Sequence, residues 1–483
     1  MQIYSSTLII DKQSALPVYI QLANQLMGLI KAGTLKASHK LPGTRQLAAL
    51  LGLHRKTVIR AYDELLAQGW LQSYTGSGTF VAAHLPMTKP QSLLKNKPDA
   101  AKVAGFGIKA ASFLQRKIAD LNIELHLDDG FPDMRIAPVL DISRAYRTQL
   151  VTGNPYSKLG YADPKGSEWL RTELAAYLNI TRGLRITPAN ILIVRGTIMG
   201  LHLTCAGLLE PGDTVVAAEP GWAGAEANFL QAGANLLKIA VDEHGMDVER
   251  LDEICAKQKV RLVYVTSHHH YPTTVALRPD RRIRLLELAQ KHGFIIFEDD
   301  YDYDFHYQNK PLMPLAGADD AGMVLYCGAF SKSISPAIRV GYLVGPENVI
   351  EYLAQLRRAI DRQGDSMLEN AMAELLQNGI IQRHLRKSLK LYRQRRDIFC
   401  GLMNGYLKNY VQFQVPDGGM AVWTQFDAAI DLTQLAQSAL KKGLYFQGEN
   451  SPATPNFTRL GFASSTPDEL ERSVQILAKL LVI

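Results

Sequence analysis

The chain has 483 residues, of which 47% are hydrophobic and 20% charged, so it is long enough for two or more globular domains. No run approaches the roughly 18 consecutive apolar residues of a membrane span. The N-terminus lacks the basic and apolar regions of a secretory signal, and the four cysteines form no CxxC pair. The sequence therefore predicts a cytoplasmic protein, with neither a membrane partner nor a disulfide or zinc framework.

Positive charge is concentrated at the start of the chain. The formal net charge is +7, and residues 1–100 hold eleven Lys or Arg against four Asp or Glu, so the remainder is neutral. No acidic residue occurs between Asp11 and Asp63. Such an asymmetry indicates a polyanionic partner for this part, although a solvated basic face would have the same composition.

Three helices and a hairpin are predicted in the first eighty residues. An apolar stripe after Pro17 predicts a helix that ends at Gly33, and Thr44 is expected to cap a short second helix. The third helix is predicted from His54 to Gln68. The glycine-rich segment 75–78 then separates two short strands, as in a hairpin whose tip can approach a backbone closely.

The segment from Leu41 to Val81 resembles the GntR family of winged helix-turn-helix regulators, and the match covers nearly the whole domain. The resemblance implies binding to a double-stranded DNA operator, with a winged helix that binds another protein as the alternative. His54 stands where the family usually has a serine or threonine, so weaker capping of the recognition helix is expected. The residues expected at DNA are Thr44, Arg45, Arg55, Lys56, Thr57, Arg60, Gly76 and Gly78.

A proline- and lysine-spaced connector follows, in which helical and strand patterns fade. We therefore predict a DNA-binding domain over residues 1–82, a linker over 83–120 and a second domain over 121–483.

The second domain contains a lysine in an unusual setting. The apolar run from Met323 to Tyr326 predicts a buried strand, and Lys332 follows it between two serines. A lysine in such crowded, partly apolar surroundings can lose its proton and condense with an aldehyde. Arg339 could hold a phosphate, with a hydrogen bond from Ser331. An ordinary loop would have the same residue types.

A second stretch, from Phe294 to Tyr303, is an apolar strand that ends in carboxylates and a tyrosine. Pyridoxal phosphate (PLP) needs an acid that keeps its ring nitrogen protonated, because the ring then serves as an electron sink. Together the two stretches resemble fold-type I aminotransferases, in the regulator branch called MocR or GabR. The resemblance implies that Lys332 carries PLP, Asp299 pairs with the pyridine nitrogen and Tyr301 faces the phenolic oxygen.

Further segments match the same branch in the expected order. By this resemblance the turn at Gly196 and Thr197 binds the phosphate, where a helix N-terminus favours an anion. Trp222 stacks on the pyridine ring, and Tyr161 reaches the cofactor phosphate of the neighbouring subunit. The remaining implied residues are His269 beside the cofactor and Arg459 as the anchor for a substrate carboxylate.

Two details restrict the ligands. GABA-sensing members carry an arginine where this chain has Gly224, so a GABA-like or dicarboxylate effector is not expected. Residues 268–270 are three consecutive histidines, which suggest a metal. Side chains of consecutive residues on an extended chain point alternately, however, so no metal site is predicted.

We therefore predict an α/β protein: an N-terminal winged helix-turn-helix plus a C-terminal fold-type I aminotransferase-like domain, with a mostly parallel sheet and a smaller C-terminal subdomain near residues 365–483. The expected function is a transcriptional regulator that senses PLP or a small amino compound through aldimine exchange at Lys332, as a head-to-tail homodimer. A working aminotransferase that also binds DNA is the alternative. A third possibility is a DNA binder whose second domain serves only dimerisation.

Overall fold

The computed structural model describes residues 4, 7–85, 102–114, 123–154, 156, 159–307, 312–448 and 454–481. The chain divides into two compact units, Met1–Lys109 and Ala110–Ile483. Most of the predicted linker lies outside the described residues, and the three predicted domain ranges stay a prediction.

The first unit consists of three helices followed by an antiparallel hairpin. Its elements are α1 (Val18–Lys31), α2 (Thr44–Leu51), α3 (Arg55–Ala67), β1 (Leu71–Tyr74) and β2 (Gly78–Val81). In the hairpin Leu71 pairs with Val81 and Tyr74 with Gly78. The apolar stripes of the helices meet in one core, in which Leu26, Leu47 and Val58 are fully buried. This is the predicted winged helix-turn-helix.

The ends of two helices differ from the sequence-based prediction. Thr44 does not cap α2, because Gly43 occupies the N-cap position and Thr44 is the first helical residue. His54 does cap α3: its Nδ1 accepts a hydrogen bond from the Lys56 amide at 3.2 Å. The imidazole thus supplies the acceptor that a serine or threonine hydroxyl supplies elsewhere.

The second unit alternates strands and helices along most of its length. Its first half comprises β3 (Leu125–Leu127), α4 (Val139–Val151), α5 (Glu168–Arg182), β4 (Ile191–Val194), α6 (Thr197–Leu208), β5 (Thr214–Glu219), α7 (Ala223–Gln231), β6 (Asn235–Asp242), β7 (Gly245–Met246), α8 (Val248–Lys257), β8 (Val260–Val265), α9 (Pro279–His292) and β9 (Ile295–Asp300). Its second half comprises α10 (Leu315–Ala318), β10 (Val324–Ala329), α11 (Phe330–Ser333), β11 (Gly341–Val344), α12 (Glu347–Ile360), α13 (Ser366–Gln377), α14 (Ile380–Tyr406), β12 (Val411–Phe413), β13 (Ala421–Phe426), α15 (Leu432–Lys441), β14 (Leu444–Phe446), β15 (Phe457–Gly461) and α16 (Pro467–Leu481).

The large sheet has the strand order β4-β11-β10-β9-β8-β5-β6-β7. Strands β10, β9, β8, β5 and β6 run parallel, whereas β11 is antiparallel to both of its neighbours. Strands β4, β8 and β10 are buried, mostly apolar runs, as expected for a sheet covered by helices on both faces. The predicted α/β fold with a mostly parallel sheet is confirmed. In such a sheet ligands bind at the carboxyl ends of the strands.

The C-terminal part forms two smaller sheets. Strands β12, β13 and β15 form an antiparallel sheet, and β14 pairs in parallel with β3. Strand β3, which follows the linker, is therefore part of a C-terminal sheet. The sequence-based prediction placed the smaller C-terminal subdomain near residues 365–483 and did not include this strand. Among the residues that the structure describes, no helix is both long and apolar enough to cross a membrane.

Candidate functional site

A cavity of about 330 Å³ opens at the carboxyl edge of the large sheet. It lies where β4, β5, β8, β9 and β10 end, so loops distant in sequence contribute to one site. Its lining consists of Asp129, Phe131, Thr197, Ile198, Trp222, Tyr264, Thr266, Tyr271, Asp299, Tyr301, Ala329, Ser331, Lys332 and Arg339. Seven residues predicted to bind the cofactor are among them: Lys332, Asp299, Tyr301, Ser331, Arg339, Thr197 and Trp222.

Asp299, near the end of β9, is a buried carboxylate that is only half satisfied. Its Oδ2 accepts a hydrogen bond from the Tyr264 hydroxyl at 2.8 Å. Its Oδ1 is buried and has no hydrogen-bond partner among the described residues. Burial raises the pKa of this carboxyl to about 7. A cationic group in the cavity would satisfy the free oxygen and favour the carboxylate.

Lys332, in the short helix α11, reaches across the cavity to the loop after β3. Its Nζ donates to the carbonyl oxygen of Gly130 at 2.7 Å and lies 3.4 Å from that of Asp129. The same nitrogen lies 4.5 Å from the ring centroid of Phe131. Burial, as the largest influence, lowers the pKa of Lys332. The site therefore shifts the protonation equilibrium toward the neutral amine, which is the nucleophilic form.

Arg339 and the N-terminus of α6 form the electropositive end of the cavity. The Arg339 guanidinium donates to the carbonyl oxygen of Arg195, and its backbone has a left-handed φ of 51°. Gly196 has a φ of 86°, and a Cβ atom there would lie 2.7 Å from the Arg339 Nη2 atom. Glycine is thus needed at this turn both for its conformation and for the close approach of the guanidinium.

His269 and Tyr301 are in contact, but not through the His269 ring. The Tyr301 hydroxyl donates to the His269 carbonyl oxygen at 3.0 Å. The His269 ring is buried and pairs with Asp302 at 2.7 Å. It lines a second cavity of about 720 Å³, apart from the lining of the one with Lys332. The structure therefore places the His269 backbone, and not its side chain, beside the residues predicted to bind the cofactor.

Arg459, on β15, is buried and already has a carboxylate partner. Its Nε lies 3.1 Å from Oδ1 of Asp129, and its Nη1 donates to the Pro272 carbonyl oxygen at 3.2 Å. The other carboxylate oxygen of Asp129 accepts from the Tyr271 hydroxyl at 2.9 Å. Asp129 lines the cavity, so this pair lies at its wall.

The remaining residues predicted at the cofactor lie at or beyond the rim. Trp222 is half-buried in the lining, and a Cβ atom on Gly224 would lie 2.7 Å from its indole ring. The backbone at 224 is thus covered by the tryptophan. Tyr161 is 78% exposed and is stacked by Arg362, whose Cζ lies 3.7 Å from the ring centroid. Tyr161 does not line the cavity of its own chain.

The three consecutive histidines have separate partners. The His268 Nε2 donates to the Leu312 carbonyl oxygen at 2.7 Å, and the His270 ring contacts the Thr273 hydroxyl at 2.8 Å. Within the described ranges no group of three or more His, Cys, Asp or Glu residues is arranged to hold a metal ion.

The residues predicted at DNA lie on the surface of the first unit. Arg45, Arg55, Lys56 and Arg60 are exposed, as are the hairpin glycines Gly76 and Gly78, and Thr44 and Thr57 are half-buried. Two of the arginines have partners within the unit. The Arg55 Nε lies 3.5 Å from the Thr44 hydroxyl, and the Arg60 guanidinium lies 4.3 Å from the ring centroid of Tyr19. Arg60 therefore also joins α3 to α1.

Sequence reasoning missed several residues of the cavity. Tyr264 lies inside an apolar strand, and its partner Asp299 is 35 residues away, so nothing local distinguishes it from a core tyrosine. Asp129 directly precedes the glycine of a turn, and that local pattern does not show that its carboxylate faces Arg459.

Comparison with known proteins agrees with this fold and domain order. The family model for aminotransferase class I and II matches residues 144–477, and that for bacterial regulatory proteins of the gntR family matches residues 18–81. The probable rhizopine catabolism regulatory protein MocR of Rhizobium meliloti is 29% identical, over 97% of this chain and 95% of its own. The HTH-type transcriptional regulator TauR of Rhodobacter capsulatus is 28% identical over 94% of both chains.

Solved structures match the second unit. The kynurenine aminotransferase of Pyrococcus horikoshii superposes with a TM-score of 0.68 at 27% identity, over 74% of this chain and 90% of its own. An archaeal alanine:glyoxylate aminotransferase gives a TM-score of 0.69 at 27% identity, with the same two shares. The chain belongs to the aminotransferase class I and II family and, with its gntR-family domain, has the architecture of the MocR-type transcriptional regulators.

Proposed function

We propose that this protein is a DNA-binding transcriptional regulator that holds PLP at Lys332 and changes its operator binding when a small amine takes the place of that lysine. The observation that carries the proposal is the half-satisfied Asp299 carboxylate in the same cavity as a half-buried lysine of lowered pKa.

The residues of the cavity fit PLP from end to end. When bound, the cofactor supplies an electron sink and an aldehyde that reacts with primary amines. The free Oδ1 of Asp299 is placed to hold a protonated ring nitrogen, and the Tyr264 hydroxyl fixes the carboxylate from its other side. The Arg339 guanidinium and the first amides of α6 provide donors for a phosphate. Trp222 offers an aromatic face for the ring.

Lys332 is suited to reversible covalent attachment. Its half-buried side chain lies beside Phe131 and has a lowered pKa, and its neutral amine can condense with an aldehyde with loss of water. A primary amine from solution can take over that bond and release the lysine. The released side chain can then donate again to the Gly130 carbonyl, so the two states differ in hydrogen bonds that the chain itself makes.

The first unit is the DNA-binding part of this proposal. The exposed Arg55 is the first residue of α3 and the exposed Arg60 lies further along it; α3 corresponds to the helix that enters the major groove in helix-turn-helix proteins. The glycine-rich hairpin tip has room to approach a phosphate backbone, since no atom lies within 4 Å of a Cβ placed on Gly76.

We also propose a head-to-tail homodimer. The second unit exposes large apolar side chains that a single chain leaves uncovered: Val139, Leu140, Val151, Tyr156, Leu159, Tyr161 and Ile360. Six of these seven residues lie between positions 139 and 161, and contiguous exposed apolar patches are typical of protein interfaces. In such a dimer Tyr161 would serve the cofactor site of the partner, which accounts for its exposure and for its not lining the cavity of its own chain.

The experiment that tests the proposal follows the cofactor and the operator together. We expect the protein loaded with PLP to absorb near the boundary of the visible and ultraviolet, and borohydride to fix the label on Lys332. A primary amine should shift that absorption and change operator affinity. Persistence of the borohydride-fixed label in a Lys332→Ala variant would contradict the assignment.

The same preparation distinguishes a sensor from an enzyme. Incubation with an amine and a keto-acid acceptor should yield product far more slowly than the usual enzyme median of about 10 per second. Turnover near that rate, with operator binding unaffected by the amine, would establish the alternative: a catalytically active aminotransferase that also binds DNA.

A further inference from the structure

We propose that Asp129 is a specificity-determining residue that makes the cavity select primary amines with no carboxylate beside the amino group. The inference rests on the proposed amine site at Lys332. It concerns the substituent next to the amino group of the ligand.

Arg459 already has an ion-pair partner within the chain. This arginine is the anchor expected for the carboxylate of an amino acid, and its side chain is 5% exposed. Its Nε is 3.1 Å from the Asp129 carboxylate, and its Nη1 donates to the Pro272 carbonyl oxygen. The charge that an amino acid would seek is thus already compensated within the chain.

Asp129 is held in this position from two sides. One carboxylate oxygen faces the Arg459 guanidinium, and the other accepts from the Tyr271 hydroxyl at 2.9 Å. The Asp129 side chain is 29% exposed, so it reaches the cavity and yet is largely withdrawn from water. Moving it aside would break both interactions and leave a partly buried charge without its partner.

An amino-acid carboxylate would meet this arrangement directly. Arginine binds a carboxylate best through two parallel N–H bonds, and here the Asp129 carboxylate lies as an ion-pair partner 3.1 Å from the Nε edge of the fork, without an aligned hydrogen bond. A second carboxylate at the guanidinium would lie beside the first, and like charges repel strongly where water is scarce. An amine without that group meets no such repulsion.

Asp129 lies close to the amino group of Lys332, where the ligand amine would bind. The Lys332 Nζ lies 3.4 Å from the carbonyl oxygen of Asp129 itself. An amine that replaces the lysine therefore carries its neighbouring substituent next to this residue. The rest of that region is apolar or aromatic, with Phe131, Ile198 and Trp222 in the lining, and suits an uncharged substituent.

The test uses the full-length protein loaded with PLP and two matched ligand pairs: phenylalanine with 2-phenylethylamine, and leucine with 3-methylbutylamine. In the wild type the amine of each pair should shift the visible absorption at a concentration lower by about tenfold or more. Asp129→Asn keeps the shape and removes the charge, so it should reduce this preference by about tenfold. Operator affinity, measured on the same samples, should follow the same order.

A second measurement does not depend on cofactor chemistry. The ligand 3-phenylpropionate has a carboxylate and no amine, so it reports on whether Arg459 is available. By calorimetry it should bind Asp129→Asn about tenfold more tightly than the wild type. Tyr271→Phe, which removes one of the two groups that hold Asp129, should change both measurements in the same direction by a smaller factor.

The matched control is Glu226→Gln, the same carboxylate-to-amide change at a residue that pairs with Lys238 outside the cavity lining. It should behave as the wild type. Equal responses to phenylalanine and 2-phenylethylamine in the wild type, or an unchanged ratio and unchanged phenylpropionate affinity in Asp129→Asn, would overturn the inference about Asp129. If no variant shows cofactor absorption, the proposed function fails instead, and the calorimetric comparison still decides the role of Asp129.

Discussion

The Tyr264 hydroxyl lies 2.8 Å from one oxygen of Asp299 and leaves the other oxygen of that buried carboxylate without a partner among the described residues. The pair joins the middle of the large sheet to the floor of the cavity. It has a direct consequence for the stability of the protein without PLP.

Without PLP, the free energy of unfolding should fall as pH rises from 3.8 to about 7. In that range the Asp299 carboxyl loses its proton in the unfolded state and keeps it in the folded state. Burial raises the pKa of Asp299 from 3.8 to about 7, so between these values the folded state binds more protons than the unfolded state. A difference of this size corresponds to at most about 4 kcal/mol. Asp299→Asn should remove this component, as measured by denaturant unfolding at several pH values.

Added PLP should largely abolish the same decline in the wild type, because a cationic ring nitrogen offsets the charge of Asp299. Asp468→Asn, an exposed carboxylate in the first turn of α16, serves as the control and should keep the wild-type profile. Parallel pH profiles for the wild type and Asp299→Asn would show that this carboxyl does not titrate as expected.

Gly196→Ala should weaken cofactor binding more than its backbone strain alone explains. Its φ of 86° is unfavourable for alanine, at a cost of about 1–3 kcal/mol of stability, and the new methyl group would also press on the Arg339 guanidinium. The matched control is Gly212→Ala, with a φ of 94° and open space around it. Both variants should unfold at lower denaturant concentration, but only Gly196→Ala should need more PLP for half-saturation. Equal PLP affinity in the two would contradict the proposed role of this turn.

Arg55 and Arg60 should differ in how their removal affects the first unit. An arginine that binds a phosphate should lower the salt slope of operator binding by about one when it is replaced, whereas one that binds a base edge should cost about 1–3 kcal/mol and relax specificity. Because Arg60 stacks on Tyr19, Arg60→Ala should also destabilise the unit by about 0.5–1 kcal/mol, whereas Arg55→Ala should not. Salt-dependent operator titrations and thermal unfolding measure the two effects.

The control for these two variants is Arg250→Ala, which removes the same charge from a surface pair with Glu253 in the second unit. It should leave the salt slope unchanged. Wild-type operator binding by an Arg55→Ala, Arg60→Ala double variant that is still folded would refute the assignment of α3 as the recognition helix.

His126 should contribute stability that is present at low pH and lost at high pH. Its hydrogen bond with Asp128, at 2.8 Å, raises the pKa of the imidazole. The contribution, about 1 kcal/mol, is therefore complete below the unfolded value of 6.5 and disappears as pH rises through the raised folded value. His126→Gln should lose this pH dependence, while His202→Gln, an exposed residue of α6, should retain it. Identical stability profiles for His126→Gln and the wild type would show that the pair is energetically silent.

The sequence predicted the parts of the site that follow strand ends and missed those set by tertiary packing. Lys332, Asp299, Tyr301 and Trp222 lie in one cavity because parallel strands deliver their carboxyl ends to a single edge. The ion pair between Asp129 and Arg459 joins distant parts of the sequence and depends on how the loop after β3 folds against β15, which no local pattern encodes. Pairing of β3 with β14 was missed for the same reason.

The hydrogen bonds of Lys332 also relate the site to the path of the chain. While its amino group is free it serves the carbonyls of Asp129 and Gly130. Any reaction that consumes this amine leaves those two acceptors short of a donor, at a cost of about 1–3 kcal/mol for a buried group. The loop that bears this cost begins directly after β3, the first strand to follow the linker. Whether the Lys332 nitrogen is free or bound therefore changes the hydrogen bonding of the loop after β3. The chain runs from the DNA-binding unit through the linker to this strand.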